Sequence, residues 1–174
     1  MLYLLRHTRV AWPPGLCYGQ SDVPLADTFP QELAAIRAAW PAELTDCRVR
    51  CSPLSRCVRL AEGLGLSYQV DARLMELNFG QWEGKAWDDL PPEELNPWME
   101  DFVEQAPPGG ESYQQLAVRA AAAWADGQAE GPGEPWLWVT HAGVIRAMRC
   151  QARGWPLARG FEVEVGYGEW LEAC

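Results

Sequence analysis

The amino-acid sequence predicts an α/β fold in which a mostly parallel central sheet is flanked by helices. Short apolar runs typical of buried strands alternate with longer stretches that carry helix-start signals. The 174 residues suit one domain spanning residues 1–174. Hydrophobic residues make up 48% of the chain and charged residues 22%, which is ordinary for a folded globule and excludes global disorder.

Three strands and two helices are predicted in the first part of the chain. The strands are expected at residues 2–5, 48–51 and 68–70. Thr28, with Gln31 three residues later, has the spacing of a capped helix start. Ser52 and Pro53 are typical of a helix that begins directly after the second strand, with serine as its cap.

The segment of residues 76–111 differs from the rest of the chain and is predicted to be a helical lid inserted into the domain. It contains ten acidic residues and one basic residue, Lys85, and so carries −9 of the net charge of −10. It is also rich in tryptophan and phenylalanine, and Pro91, Pro92 and Pro97 interrupt its helices.

The last third of the chain returns to alternating helices and strands. Ser112 and Gln115 form a capping-box pattern that opens a helix reaching about Asp126. A buried strand is expected at residues 136–140, followed by a helix from Val144 that Gly154 ends. Alternating residues at 161–165 and 169–171 predict a terminal hairpin.

Composition narrows the classes of partner and site. A net charge of −10 argues against nucleic-acid binding, and no apolar run is long enough for a membrane span, so a cytoplasmic location is expected. The six cysteines contain no C-x-x-C pair and only two histidines are present, so we expect free thiols, no metal site and no cofactor. The sequence leaves the assembly open, with a homodimer as one candidate.

Both histidines lie directly after predicted strands. His7 follows the first strand, Arg56 lies just beyond the second, and His141 follows the strand at 136–140. Ligands of open α/β sheets bind beyond the carboxyl ends of the strands. Arginine forks and helix amino-termini bind phosphate, and a neutral imidazole is a competent nucleophile. Arg6, His7, Arg56 and His141 therefore predict a phosphoryl-transfer pocket for a small-molecule phosphate monoester.

A leaving alkoxide needs a proton donor, and two acidic residues qualify. Glu76 has Leu74, Met75 and Leu77 beside it, so its carboxyl group is partly desolvated, which favours its use as a proton donor. Glu83 lies a short distance further along the chain. Spacing alone does not choose between the two carboxylates.

The motifs at these positions resemble those of the histidine phosphatase superfamily, whose fold is that of phosphoglycerate mutase. In order, the chain carries Leu4-Leu5-Arg6-His7, Ser52-Pro53-Leu54-Ser55-Arg56, Glu76 before Phe79-Gly80-Gln81-Trp82-Glu83-Gly84, Gly110-Glu111-Ser112 and Val139-Thr140-His141-Ala142-Gly143. Within that superfamily the chain is most similar to the α-ribazole phosphatases of cobalamin biosynthesis, on the strength of residues 14–25, 55–61 and 73–80.

The resemblance implies a role for each matching position. His7 would become phosphohistidine, Glu76 would protonate the leaving oxygen and then activate water, and no metal would be needed. Contacts to the phosphoryl group or the rest of the substrate are implied at Arg6, Thr8, Gly19, Gln20, Arg56, Glu76, His141 and Ala142.

Two positions depart from the family pattern. Thr8 stands where the family has glycine, and Pro13 stands where it often has asparagine. Aromatic residues expected to stack on a flat leaving group are Trp12, Tyr18, Trp82 and Trp87.

The implied function is that of a metal-independent phosphomonoesterase acting on α-ribazole 5′-phosphate. The alternatives are a broad-specificity phosphatase for sugar phosphates or nucleotides, and a non-catalytic module that binds a phosphorylated ligand. A mutase is disfavoured because the chain has few bases to hold a bisphosphate.

Overall fold

The computed structural model describes residues 1–173 and contains a five-stranded sheet of order β3-β2-β4-β1-β5. The strands are β1 (Leu2–Arg6), β2 (Arg48–Cys51), β3 (Gln69–Val70), β4 (Trp136–Thr140) and β5 (Trp170–Glu172). The first four are parallel and β5 runs antiparallel to β1. The prediction of an α/β fold with a mostly parallel sheet is confirmed.

Five α-helices cover the two faces of the sheet or build the lid. They are α1 (Phe29–Ala38), α2 (Ser55–Leu64), α3 (Pro92–Glu100), α4 (Tyr113–Glu130) and α5 (Ala142–Arg153). Because successive strand residues point to opposite faces, Leu2 and Leu4 pack in the core with α4 and α5. Tyr3 and Leu5 pack in the second core, with residues of α1 and α2.

The starts of α1 and α4 agree with prediction, and the start of α2 differs. The capping box of Ser112 and Gln115 is present at the start of α4, although the helix runs to Glu130 and not to Asp126. Helix α2 begins at Ser55 and not after Ser52, because the Ser52 hydroxyl is used elsewhere. At α1 the hydroxyl of Thr28 caps no backbone group and instead donates to Glu32.

The predicted terminal hairpin is wrong. Residues Leu157–Glu162 form a 3₁₀ helix, and the last strand pairs with β1, where Leu171 lies opposite Leu4. The free edge of β1 offers a row of unpaired backbone groups that the strand satisfies. The alternating pattern of Trp170–Glu172 identifies a strand but not its partner.

Residues 76–111, which we call the lid segment, contain α3 and two 3₁₀ turns, Gly80–Trp82 and Trp87–Asp89. Trp82 is completely buried at its centre, and its indole N–H donates to Glu94 across 2.9 Å. Phe79, Trp87 and Trp98 pack around it. The lid segment therefore has a small core of its own beside the sheet.

Two further observations concern the described residues. None of the helices there combines the length and the apolar character that crossing a bilayer requires. Cys17, Cys47, Cys51, Cys57 and Cys150 are all free thiols, as predicted, whereas Cys174 lies outside residues 1–173.

Candidate active site

The two histidines meet because β1 and β4 are adjacent and parallel. Arg6 lies opposite Thr140 in this pair of strands, so the residues that follow, His7 and His141, leave the sheet side by side. Their ring centroids are 5.1 Å apart. The sheet register thus brings together two side chains that are 134 positions apart in the sequence.

His7 is held as a buried, uncharged imidazole with one nitrogen available. Its side chain is 2% exposed, and Nδ1 lies 2.7 Å from the backbone oxygen of Thr8. A carbonyl only accepts, so Nδ1 carries the proton and Nε2 keeps its lone pair. Burial, helped by the positive charge of Arg56, lowers the pKa of His7 to about 3. The nucleophilic form is therefore present at neutral pH.

Arg56, in the first turn of α2, is completely buried and joins three parts of the site. Its guanidinium donates to Nδ1 of His141 at 3.3 Å, to the Ser21 oxygen at 2.9 Å and to the Gly19 oxygen at 2.5 Å. These bonds use three of its five N–H groups, which leaves two for a ligand. Arg56 fixes the loop after β1 and supplies a positive charge beside both histidines.

His141 is also completely buried, and both of its ring nitrogens are engaged. Because Nδ1 accepts from Arg56, Nε2 carries the proton and donates to the Ser52 hydroxyl across 2.8 Å. Burial, with Arg56 and His7 nearby, holds the pKa of His141 well below its ordinary value. Contact of this ring with a phosphoryl oxygen requires the bond to Ser52 to open, so that role stays a prediction.

Two buried polar groups beside His7 lack any partner among the described residues. The Nε of Arg6 and the hydroxyl of Thr8 are both shielded from solvent and unbonded. The rest of the Arg6 guanidinium bonds the Val165 oxygen at 2.6 Å and lies 3.7 Å from the Tyr167 ring centroid. An unsatisfied buried polar group costs about 1–3 kcal/mol, which an anion that accepts from the Nε of Arg6 would recover. Thr8 does not line the cavity of Arg6 and His7, so its contact with substrate stays a prediction.

Glu83 has a structural role that removes it as the proton donor. Its carboxylate accepts from the backbone N–H groups of Gln20, Ser21 and Phe79 at 2.9, 2.6 and 3.2 Å, and from the Ser21 hydroxyl. Burial opposes ionisation, but these hydrogen bonds outweigh it and lower the pKa of Glu83 below its ordinary value. Its oxygens face the loop that holds Arg56.

Glu76 is the carboxylate that reaches the same cavity as His7. It accepts from the Leu77 N–H at 2.9 Å and from the Gly143 N–H at 3.2 Å, at the amino end of α5. A Cβ at Gly143 would collide with this carboxylate, so the glycine is required for its placement. The geometry thus favours Glu76 over Glu83, a choice that residue spacing left open and that the family resemblance made in the same direction.

The cavity between the strand ends and the lid segment has a volume of about 220 Å³. Its charged end is formed by Arg6, His7 and Glu76, with Ala142 and Gly143 of α5. The remaining lining is largely apolar or aromatic and consists of Leu16, Tyr18, Leu77, Phe79, Trp87, Tyr113, Arg146 and Phe161. The cavity therefore offers an anion site at one end and an aromatic surface at the other.

Of the other residues predicted to contact substrate, some line the cavity and others pack against or bond the residues that line it. Tyr18 and Trp87 line the cavity, whereas Trp12 packs on Tyr18 and Trp82 is enclosed in the lid segment. The Gln20 side chain donates to the Glu76 backbone oxygen at 3.0 Å. Gly19 and Gln20 thus support the site in this structure, and their contact with substrate stays a prediction.

Several lining residues were missing from the sequence-based prediction. Arg146 could have been found, because it lies one helical turn after Ala142 and so shares its face of α5. Tyr113 and Phe161 carried no comparable signal, since only the packing of α4 and the 3₁₀ helix near the carboxyl terminus directs them to the cavity. Within residues 1–173 no group of three or more His, Cys, Asp or Glu side chains is placed to hold a metal ion.

Fold and site together define an α/β protein with an anion-binding cavity at the carboxyl ends of its parallel strands. The chain belongs to the histidine phosphatase superfamily (branch 1), whose family model matches residues 2–173. The resemblance inferred from the sequence motifs is thereby confirmed at the level of the superfamily.

Individual relatives differ in their named activities. A glucosyl-3-phosphoglycerate phosphatase of Mycobacterium tuberculosis is 30% identical, covering 98% of this chain and 83% of its own. A Klebsiella pneumoniae protein named "Probable phosphoglycerate mutase GpmB" is 32% identical, covering 89% and 75%. The structure of the α-ribazole phosphatase of Shigella flexneri matches with a TM-score of 0.87 over 97% of this chain and 87% of its own. At 24% identity, that last likeness shows the fold alone.

Proposed function

We propose that the protein is a metal-independent phosphomonoesterase that works through a phosphohistidine at His7. The observation that carries the proposal is the buried, uncharged His7, with Nε2 available and the unsatisfied Nε of Arg6 in the same cavity. An anion with several acceptor oxygens satisfies that N–H group, and phosphorus at its centre is the electrophile that an imidazole attacks.

The reaction has two balanced steps. Nε2 of His7 forms a bond to phosphorus while the ester P–O bond breaks, and the leaving oxygen takes a proton from the carboxyl group of Glu76. Water then attacks phosphorus and gives its proton to the Glu76 carboxylate, the N–P bond breaks, and inorganic phosphate leaves. Arg6 and Arg56 supply the positive charge that stabilises the phosphoryl oxygens in both steps.

The substrate that we propose is α-ribazole 5′-phosphate, in cobalamin biosynthesis. Besides its charged residues the cavity is lined by Tyr18, Phe79 and Trp87, which offer faces and edges on which a flat base can stack. The fold shared with an α-ribazole phosphatase is consistent with this choice.

Glucosyl-3-phosphoglycerate is a second candidate, and Arg146 is the observation that favours it. This arginine lines the cavity, and among residues 1–173 only its Nε forms a hydrogen bond, to the Val163 oxygen at 3.0 Å. Its remaining N–H groups suit a carboxylate, which a phosphoglycerate ester carries and α-ribazole 5′-phosphate does not. The 30% identical relative bears that substrate in its name.

Trapping the covalent intermediate tests the mechanism. Rapid quench with ³²P-labelled substrate should give an acid-labile, base-stable adduct that His7→Ala lacks. Full activity in His7→Ala would refute the assignment of the nucleophile. Glu76→Ala should lower kcat/KM far more for alkyl phosphates than for p-nitrophenyl phosphate, whose leaving group needs no proton. Equal losses on both would remove Glu76 as the proton donor.

Phosphate release in EDTA from a panel of substrates tests the choice of substrate and the independence of metal. The panel contains α-ribazole 5′-phosphate, glucosyl-3-phosphoglycerate, sugar phosphates and nucleotides. A strong preference for either of the first two identifies the substrate, and similar slow rates throughout would support a broad-specificity phosphatase. Loss of activity in EDTA would contradict metal independence, and no release from any ester would favour a binding module.

A further inference from the structure

The backbone around Glu76 lies outside every helix and strand. It connects a 3₁₀ turn at Ala72–Leu74 with the turn at Gly80–Trp82. Side chains from other parts of the chain satisfy its polar groups. The Asn78 N–H donates to Glu111 at 3.0 Å, and the Glu76 backbone oxygen accepts from Gln20. The position of the Glu76 carboxylate therefore depends on side chains distant in sequence.

Arg119 of α4 makes the most extensive of these contacts. Its guanidinium donates to the backbone oxygen of Arg73 at 2.6 Å and to that of Glu76 at 3.0 Å. The same group pairs with both carboxylate oxygens of Glu111, at 3.0 and 2.5 Å. Because Glu111 also accepts from the Asn78 N–H, the pair holds the backbone on both sides of Glu76.

The pair is well shielded and geometrically restrictive. The side chains of Arg119 and Glu111 are 19% and 17% exposed. A guanidinium is planar, and its N–H groups point in fixed directions, so it can bridge two carbonyls and a carboxylate in only one arrangement. A lysine ammonium at this position keeps the charge but loses that arrangement.

We propose that Arg119, braced by Glu111, is a positioning residue that sets the Glu76 carboxylate against the leaving oxygen. The proposal rests on the role of Glu76 in the proposed function. Proton transfer requires the carboxyl group within hydrogen-bond distance of the leaving oxygen, and a displacement of about 1 Å can cost on the order of 10²-fold in rate. Arg119 does not line the cavity, so it acts through Glu76.

Arg50 provides a matched control. It is also a buried arginine that bonds α4, through the Ala123 backbone oxygen at 2.5 Å and Glu130 at 2.7 Å. It also pairs with Asp71 across 3.6 Å, but none of its hydrogen bonds and ion pairs reaches residues 73–80. A general loss of packing should therefore affect Arg50 and Arg119 variants alike, whereas loss of positioning should affect only the latter.

The experiment compares kcat/KM on an alkyl phosphate and on p-nitrophenyl phosphate for Arg119→Gln, Arg119→Lys and Arg50→Gln, because kcat/KM reports the transfer to His7 and not the later hydrolysis that all substrates share. We expect the Arg119 variants to lose about 10- to 100-fold on the alkyl ester and to keep most activity on p-nitrophenyl phosphate. Arg50→Gln should change the two rates by the same factor. Glu111→Gln, which retains the shape of the site, should show the same selectivity as Arg119→Gln and add little to it in the double variant.

Glu76→Gln separates the two ways in which the idea can fail. If Glu76→Gln shows no preference for the better leaving group, the proposed role of Glu76 is wrong. If Glu76→Gln is selective but the Arg119 and Glu111 variants lose both activities equally, the positioning role is refuted. Should Arg119→Gln unfold at the assay temperature, Glu111→Gln decides by the same ratio of rates.

Discussion

The two ends of the cavity are built in different ways. At the charged end, His7 lines the cavity and packs on His141, which Arg56 bonds. These three side chains are at most 2% exposed and lie at strand ends or in the first turn of a helix, whereas Arg6 and Glu76 are half-buried. The aromatic lining residues Tyr18, Phe79 and Trp87 are half-buried and come from loops and 3₁₀ turns.

This contrast indicates that the reacting histidines and the residues that select the substrate belong to different parts of the fold. Register in a parallel sheet places the ends of neighbouring strands together, so His7 and His141 are rigidly held. Glu76 instead depends on side chains distant in sequence. Loops tolerate substitution more readily than the elements they connect, so the leaving-group pocket can change while the phosphate pocket stays. A family with different substrates and one mechanism is the expected result.

The largest effect should follow from changing Arg56 to lysine at the charged end. The ammonium keeps the charge but cannot bond Gly19, Ser21 and His141 together. We expect kcat/KM to fall by about 10²–10³-fold on every substrate, including p-nitrophenyl phosphate. A loss confined to large substrates would place Arg56 with the variable end of the cavity.

Lowering the pH should act on the charged end through stability. The pKa of His7 is about 3 in the folded protein against an ordinary value of 6.5, so the unfolded chain binds more protons between these values. Stability from this group is complete above pH 6.5 and is lost as the pH falls toward 3, at up to about 1.4 kcal/mol per pH unit.

Urea unfolding of wild type and His7→Gln at several pH values measures that contribution. The variant should lose stability less steeply between pH 6.5 and 4, because glutamine does not titrate. Identical slopes would mean that His7 is protonated in the folded protein. For the same reason, loss of nucleophile should not reduce kcat/KM as the pH falls through 6.5.

Removing the centre of the lid segment should affect stability more than reaction rate. Trp82→Phe deletes the bond to Glu94 and leaves a small cavity, so we expect a loss of about 1–2 kcal/mol in the free energy of unfolding. Activity on p-nitrophenyl phosphate should change little. A loss of that activity as large as that of Arg56→Lys would show that the two ends are coupled.

The smallest effect should come from single aromatic residues that line the variable end. Trp87→Leu removes one aromatic surface worth about 0.5–1.5 kcal/mol, so KM for the preferred substrate should rise about 2- to 12-fold. KM for p-nitrophenyl phosphate should rise less, and kcat for neither should fall by more than a small factor. Trp155, which is half-buried like Trp87 but does not line the cavity, provides the control as Trp155→Leu.

Local sequence patterns correctly predicted those features that depend on residues within a single strand or helix. The apolar runs identify β1, β2 and β4, and the capping box identifies the start of α4, because those signals depend on residues within a few positions. The position of both histidines after strands also follows from the sequence. Given a parallel sheet, their meeting is a consequence of strand geometry.

The predictions of the α2 start and of the terminal hairpin fail because the residues concerned can bond to more than one partner. The Ser52 hydroxyl suits a helix cap, but it bonds His141, and α2 begins later. The strand Trp170–Glu172 fits a hairpin pattern, but it pairs with the free edge of β1. In both cases the competing partner is distant in sequence, and its availability is set by packing.

By itself, the sequence determined the class of fold, the superfamily and the two histidines with their arginines, because those rest on local periodicity and short motifs. Only the tertiary structure shows why Glu76 and not Glu83 shares the cavity of His7, and that Arg119 bonds the backbone oxygen of Glu76. Glu76 and Glu83 carry the same carboxylate group. Its function depends on which N–H groups and cavities surround it, and long-range packing alone brings those into contact.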